Sequence, residues 1–112
     1  MITTGELYSY FDRKIPRALS CDWDNDGLMV CADSTREIKK ALFALDVTDA
    51  VANYAIAGGY DLIISHHPLI FSPLKAINTE NPVCARVLRL IAAGISVFSF
   101  HTRLDALDGG VN

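Results

Sequence analysis

Apolar residues follow two patterns along this chain, short continuous runs and runs spaced at helical intervals. Continuous runs that predict buried strands are found at residues 28–31, 41–45, 62–64 and 95–100. Helical spacing predicts three helices, which start at Thr3, Thr48 and Asn81 and end before Ile15, at Ala57 and at Gly94. Strands that alternate with helices predict parallel pairing, with helices on the faces of the sheet. We therefore expect an α/β fold with a mostly parallel sheet.

The starts of these helices carry residues that cap helices well. Thr3 and Glu6 have the spacing of a capping box, in which each side chain accepts a hydrogen bond from the backbone of the other. Thr48 precedes the second helix, and Asn81 precedes Pro82 at the first position of the third. These caps support the boundaries that the apolar spacing indicates.

Composition and charge narrow the class of protein. The chain has 112 residues, 51% of them hydrophobic and 21% charged, which is typical of one globular domain and excludes a disordered segment. A formal net charge of −3 argues against a surface that neutralises nucleic-acid phosphates. The densest basic group, Arg13, Lys14 and Arg17, reads as an ordinary solvated helix end. We expect a single domain over residues 1–112 that does not bind nucleic acid.

Cysteine usage and hydropathy bear on the compartment. The 3 cysteines are odd in number and lack C-x-x-C spacing, which favours reduced thiols buried as small apolar side chains. The most apolar window, residues 88–100, contains Arg89 and Gly94 and is too short to cross a bilayer. The first residues lack the charged and then apolar pattern of a signal peptide. We expect a soluble, cytoplasmic protein.

Metal-binding residue types follow three of the predicted strands. Asp46 ends one strand, His66 and His67 end the next, and His101 ends the last, with Asp105 four residues later. Because ligands of open parallel sheets bind beyond the carboxyl ends of the strands, these side chains are expected at one edge. Imidazole and carboxylate together suit zinc, iron, manganese or nickel. The sequence therefore predicts a metal site at this edge.

The adjacent histidines favour two ions over one. Neighbouring residues of a strand point to opposite faces, so His66 and His67 would not easily bind the same ion. They suit two ions held close together if the strand has just ended, and Pro68 restricts His67 to an extended backbone. A dinuclear centre is the resulting hypothesis.

Other interpretations of these residues stay open. A lone histidine at a strand end is more often exposed or hydrogen-bonded than a ligand, and His101 suits a supporting role as well as ligation. Asp46 suits a helix cap beside Thr48 better than a metal ligand. Trp23 suits either the core or a pocket wall, and Gly109–Gly110 either a turn or an approach to phosphate.

Three segments together resemble one known family. WDNDGL at residues 23–28, DLIISHHPLIF at 61–71 and HTRLDALDGGVN at 101–112 are similar to motifs of the Ngg-interacting-factor-three-like family. Its members are also described as dinuclear metal-centre proteins or type 2 GTP cyclohydrolase I homologues. The motifs occur in the family's order and extend to the last residue, and the double histidine before proline is the most specific of them.

The resemblance implies a site and an activity. It implies that His66, His67 and Asp105 bind metal, and the residue pattern itself favours supporting positions for His101 and Asp46. It also implies two divalent ions per complete site, ring opening of GTP or hydrolysis of a related nucleotide, and hexamers built from trimers. The alternative is a non-catalytic metal-binding or regulatory protein, whose centre is structural or stores metal.

The chain also departs from the family pattern. Asp26 replaces a usually apolar residue, Arg103 replaces the usual asparagine, and Asp108 stands where proline is common. The family completes its site with a histidine and a glutamate from a later segment, which this sequence does not contain. We therefore expect the N-terminal half of a larger α/β fold, with an incomplete site that binds metal poorly without its other half.

Overall fold

The computed structural model describes residues 1–106, so Asp108 and Gly109–Gly110 lie outside the described part. Four strands are present in the described chain: β1 (Gly27–Val30), β2 (Ala41–Ala44), β3 (Leu62–Ser65) and β4 (Ser96–Ser99). The α-helices are α1 (Thr4–Lys14), α2 (Asp49–Ala57), α3 (Pro82–Ala92) and α4 (Thr102–Ala106), and a single 3₁₀ turn covers Arg17–Leu19. No helix within residues 1–106 has the length and apolar content that a bilayer crossing requires.

The four strands form one sheet in the order β1-β4-β3-β2. Strands β2, β3 and β4 are parallel, with Phe43 opposite Ile64 and Ile64 opposite Phe98. Their carboxyl ends therefore meet at one edge, and the expected α/β class with a mostly parallel sheet is confirmed. Strand β2 lies at one border of the sheet, and the strand at the other border, β1, is antiparallel to β4.

Alternation along the strands buries both faces of the sheet. Ile63 and Val97 point to one face, where they join a core with residues of α2 and α3. Ile64 and Phe98 point to the other face, where α1 packs on them through residues that include Phe11. A parallel sheet needs helices on both faces for this reason, since both sides of its strands are apolar.

The predicted helix caps are present. The backbone N–H of Thr3 donates to Oε1 of Glu6 at 2.9 Å, and the backbone N–H of Glu6 donates to Oγ1 of Thr3 at 3.2 Å. Thr48 accepts from the backbone of Val51 at 3.1 Å, and Asn81 caps α3 in the same way. Local sequence thus determines where α1, α2 and α3 begin.

The cysteines follow the expectation only in part. Cys84 is buried in α3, as predicted for a small apolar side chain. Cys21 and Cys31 are exposed, so the prediction of burial is wrong for them. Cys21 lies in the loop before the short border strand β1, and Cys31 directly follows this strand. All three thiols are free.

Candidate metal centre

The edge formed by the carboxyl ends of β3 and β4 brings three imidazoles together. His66 and His67 follow Ser65 at the end of β3, and His101 lies just beyond Ser99 at the end of β4. The ring centroids are separated by 5.1 Å, 5.2 Å and 5.5 Å in the three pairs. One ligand nitrogen from each ring lies within 4.8 Å of the others. Among residues 1–106 this is the group of side chains suited to hold a metal ion.

The two adjacent histidines converge because the strand has ended before them. The backbone N–H of His66 and of His67 still donates to Ala44 and Leu45, at 3.3 Å and 2.9 Å. The hydroxyl of Ser65, however, donates to the carbonyl of His67 at 2.9 Å and stabilises a bend. The alternation of side chains that holds inside a strand therefore does not separate these two rings.

His66 lies against Asp105 of α4. Its Nε2 atom is 3.0 Å from Oδ1 of Asp105, close to the separation of about 3.0–3.4 Å between two ligands of one zinc ion. The other ring nitrogen, Nδ1, is buried and has no hydrogen-bond partner among the described residues. A buried nitrogen of this kind is costly unless a further group satisfies it, whereas Nε2 of His66 and Oδ1 of Asp105 are close enough to bind the same ion. The donor set thus fits a metal ion.

His67 is paired with Asp46. Nδ1 of His67 and Oδ1 of Asp46 are 2.6 Å apart, and both side chains are partly exposed. The cap of α2 is Thr48, and Asp46 contacts the imidazole instead of the helix that we had expected it to cap. This contact leaves Nε2 of His67 available to a ligand.

His101 is paired with a third carboxylate, Asp24. Its Nδ1 atom is 3.1 Å from Oδ1 of Asp24, whose side chain is buried. The second oxygen of Asp24 accepts from the backbone N–H of Thr102 at 3.0 Å and from its hydroxyl at 2.5 Å. Burial by itself raises the pKa of Asp24, but the bonds from Thr102 and His101 outweigh it and hold that pKa below its ordinary value. Asp24 therefore stays ionised and orients the ring of His101, as carboxylates do behind metal-bound imidazoles.

Sequence reasoning did not assign a role to Asp24. The acidic loop of the WDNDGL segment contains this residue, but the direction of β1 determines which strand end the loop reaches. Because β1 runs antiparallel to β4, Gly27 pairs with Ser99, and the loop before β1 reaches the edge where β4 ends. The direction of one border strand thus brings this carboxylate to the histidines.

An aromatic wall adjoins the imidazoles. Trp23 is 63% exposed, so it belongs to the wall and not to the core. Its ring lies 6.2 Å from that of His101 and 6.1 Å from that of Phe71, edge to face in both cases. The side chain of Asn25 donates to the carbonyl of Ile70 at 2.5 Å and ties the two loops together. The aromatic wall, Trp23 and Phe71, offers planar apolar surface beside the three histidines.

An apolar groove lies on the other side of His66. It has a volume of about 460 Å³ and follows the face of the sheet on which α1 packs. Its lining residues include Phe11, Phe43, Leu45, His66, Phe100 and Leu104. Phe43 and Leu45 are exposed at the border strand β2. The apolar groove is therefore an uncovered apolar surface continuous with the candidate metal centre.

The motifs and the site place the chain in a family. The sequence model of Duf34/NIF3 (NGG1p interacting factor 3) matches residues 2–112. The chain belongs to the Duf34/NIF3 family. This confirms the resemblance carried by the double histidine and the two flanking motifs.

Curated relatives of this Duf34/NIF3 chain carry a common description. It is 36% identical over 112 residues to a GTP cyclohydrolase 1 type 2 homolog of Halalkalibacterium halodurans, and 38% identical to one of Listeria monocytogenes. Both alignments cover 99% of this chain and 30% of the relative. The chain therefore spans about a third of the length of these relatives.

Solved structures share the fold. A Bacillus cereus protein related to NIF3 superposes with a TM-score of 0.87 at 37% identity, over 98% of this chain and 30% of that protein. Reduced HcgD from Methanocaldococcus jannaschii superposes with a TM-score of 0.82 at 30% identity, over 93% of this chain and 41% of that protein. The α/β architecture described above is thus the one found in the family.

Proposed function

We propose that this Duf34/NIF3 chain forms one part of a divalent-metal centre that hydrolyses a nucleotide. The observation that carries the proposal is the convergence of His66, His67 and His101, whose ligand nitrogens lie within 4.8 Å of one another. Each of these imidazoles also contacts an aspartate: Asp46 and Asp24 would orient His67 and His101. Asp105 lies beside His66, where the two side chains would bind the same ion.

The residues divide into ligands and supports. His66, His67 and Asp105 would hold the ions. Asp46 would orient His67, and His101 would lie beside these ligands as a supporting residue. We propose two ions per complete site, zinc, iron, manganese or nickel, which agrees with nitrogen and oxygen donors without a thiolate. Bound ions of this kind supply an activated water at neutral pH. The protein groups orient the rings and exclude bulk water from the buried side of His66.

A nucleotide substrate is supported by two observations. Relatives of about 36–38% identity are described as GTP cyclohydrolase 1 type 2 homologs. The aromatic wall of Trp23 and Phe71 lies next to His101 and suits a planar base, which stacks on exposed aromatic rings. We accordingly propose that the base rests on Trp23 while the reacting atom faces the histidines.

The same proposal includes the cellular compartment and the self-association of the protein. Free thiols on an exposed surface agree with a reducing, cytoplasmic compartment. The exposed Phe43 and Leu45 of the apolar groove support self-association, consistent with the hexamers that the resemblance implies.

A second candidate is a non-catalytic metal-binding or regulatory protein. It is favoured by the ligand count, since the group formed by the three histidines suffices for one ion, whereas catalysis by two ions needs more donors. Such a centre would be structural or store metal, and it would keep the same histidine–aspartate contacts.

Metal titration and turnover together test both candidates. Calorimetry with Zn²⁺, Mn²⁺ and Ni²⁺, and with Fe²⁺ under anaerobic conditions, measures affinity and stoichiometry in the chain and in a His66→Ala variant. Hydrolysis of GTP and of a panel of other nucleotides is followed on the metal-loaded protein. Turnover that His66→Ala abolishes supports the hydrolase. Stoichiometric metal without turnover supports the second candidate, and unchanged metal occupancy in His66→Ala contradicts the assignment of His66 as a ligand.

A further inference from the structure

Two departures from the family motifs contact each other in the structure. The resemblance implies an asparagine in place of Arg103 and an apolar residue in place of Asp26, and Nε of Arg103 donates to Oδ1 of Asp26 at 3.1 Å. The side chains are buried, with Arg103 0% and Asp26 3% exposed. Since 77 residues separate them, the contact is made only by the fold. The two replacements therefore form one unit.

Asp26 connects this unit to the strand-end edge. Its second oxygen, Oδ2, accepts from the backbone N–H of His101 at 3.2 Å. Oδ1 also accepts from the hydroxyl of Ser20 at 3.0 Å. Asp26 thus fixes the backbone of the residue whose imidazole closes the histidine group, while its neighbour Asp24 holds the ring itself.

Arg103 connects the same unit to the end of α1. Its Nη1 atom donates to Oδ1 of Asp12 at 2.9 Å and to the carbonyl of Ile15 at 3.0 Å. A guanidinium stays charged in proteins, and the carboxylates of Asp12 and Asp26 hold this one from two sides.

Helix α4 needs such anchors because it is only 5 residues long. A helix of this length is unstable by itself and depends on tertiary contacts. His101 precedes it and Asp105 lies one turn later, so the placement of α4 decides where both side chains meet His66.

We propose that Asp26 and Arg103 are a positioning pair for the metal centre, in which one buried charge pair docks the start of α4 and aims His101 and Asp105 at the end of β3. This inference rests on the proposed metal function. Arg103→Asn leaves the buried carboxylate of Asp26 without its cation, whereas Asp26→Val leaves Arg103 with Asp12 alone and the backbone N–H of His101 without its acceptor. Since both residues act through one contact, the effect of replacing both is expected to be smaller than the sum of the two single effects.

The test is a double-substitution cycle on the whole chain. Arg103→Asn, Asp26→Val and the double variant are titrated calorimetrically with Zn²⁺. Each single change is expected to weaken Zn²⁺ binding by about 10–100-fold, the usual effect of removing a supporting partner, and the double variant is expected to stay within about threefold of the weaker single variant. If Asp26→Val does not fold, Asp26→Asn, which keeps the shape and removes the charge, takes its place.

A matched control uses a charge pair at the opposite edge of the sheet. Arg36 donates to Asp61 at 2.7 Å just before β3 begins. Arg36→Asn is expected to lower the melting temperature without changing the affinity for Zn²⁺. A merely structural role for Arg103 would make its variants behave like Arg36→Asn.

A second measurement does not depend on metal. Amide hydrogen exchange of His101 and Thr102, whose N–H groups donate to the carboxylates of Asp26 and Asp24, is expected to accelerate at least about tenfold in each single variant and by a similar factor in the double. Single variants with unchanged affinity and exchange, or losses of affinity that simply add in the double variant, would overturn the role of Asp26 and Arg103 as a positioning pair. If the unsubstituted chain binds no Zn²⁺, metal binding by this part of the centre alone is contradicted, and the exchange data decide on the pair.

Discussion

Nδ1 of His101 lies 3.1 Å from the carboxylate of Asp24, although 77 residues separate them in the chain. The contact joins the loop before β1 to the end of β4, and it exists because these two strands pair antiparallel. A buried, ionised carboxylate behind an imidazole fixes which ring nitrogen carries the proton and which faces the site. The orientation of His101 is thus decided by a residue far from it in sequence.

Removal of Asp24 should weaken metal binding. Asp24→Ala deletes the partner of His101 and of Thr102, so we expect a loss of about 10–100-fold in Zn²⁺ affinity, measured by calorimetry. Asp22→Ala is the control, because Asp22 lies in the same loop and is exposed. Equal effects of the two substitutions would show that only the net charge of the loop matters.

Each of the three histidines should contribute to ion binding. His66→Ala and His67→Ala are expected to reduce Zn²⁺ affinity by more than about 100-fold, since each removes a donor atom, and His101→Ala should come within about tenfold of that loss. The unfolding free energy, measured in urea with a chelator present, should change by less than about 2 kcal/mol. Circular dichroism checks that the variants remain folded. If one of these variants binds Zn²⁺ as tightly as the unsubstituted chain, the histidine that it lacks is not a ligand.

The single tryptophan of the chain reports directly on the aromatic wall. GTP should quench the fluorescence of Trp23 saturably, because the base stacks on the indole, whereas tripolyphosphate should not. Phe71→Leu should weaken GTP binding by about 5–150-fold, which corresponds to the loss of about 1–3 kcal/mol of stacking.

The control for the aromatic wall is Phe43→Leu, which alters an exposed aromatic residue on β2 instead. It should leave the quenching by GTP unchanged. Quenching by tripolyphosphate as strong as that by GTP would contradict base stacking and indicate binding through phosphate alone.

Acid sensitivity should arise in part from Asp61. Burial would raise the pKa of this carboxyl, but hydrogen bonds from the backbone of Lys39 and Lys40 and from Arg36 hold it below the ordinary value. Stability from a lowered carboxyl pKa is complete above the unfolded value of about 3.9 and is lost as the pH falls through the folded value.

Asp61→Asn should therefore flatten the acid limb of the stability profile. At neutral pH we expect the variant to lose about 1–3 kcal/mol of unfolding free energy, the usual range for hydrogen bonds to a charged group. Below about pH 4 the two proteins should converge, which urea unfolding at several pH values measures. If the unfolding free energies of the two proteins differ by the same amount at every pH, the substitution acts through the shape of the side chain and not through its charge.

Local patterns predicted most of the elements. The starts of α1, α2 and α3 follow from Thr3, Thr48 and Asn81, whose side chains satisfy backbone N–H groups within the first helical turn. The strands follow from continuous apolar runs, which only a sheet covered on both faces can bury. Helix α4 was missed, because a single turn is too short to show helical periodicity.

By itself the sequence determined the α/β class, the helix starts and the edge at which all three histidines lie. These properties depend on residues close together in the chain and on the rule that parallel strands end at the same edge. Only the tertiary structure decided that β1 is antiparallel, that Asp24 stands behind His101, and that Asp26 meets Arg103. Each of these contacts joins segments far apart in the chain, and the pattern of one segment carries no information on which distant segment will pack against it.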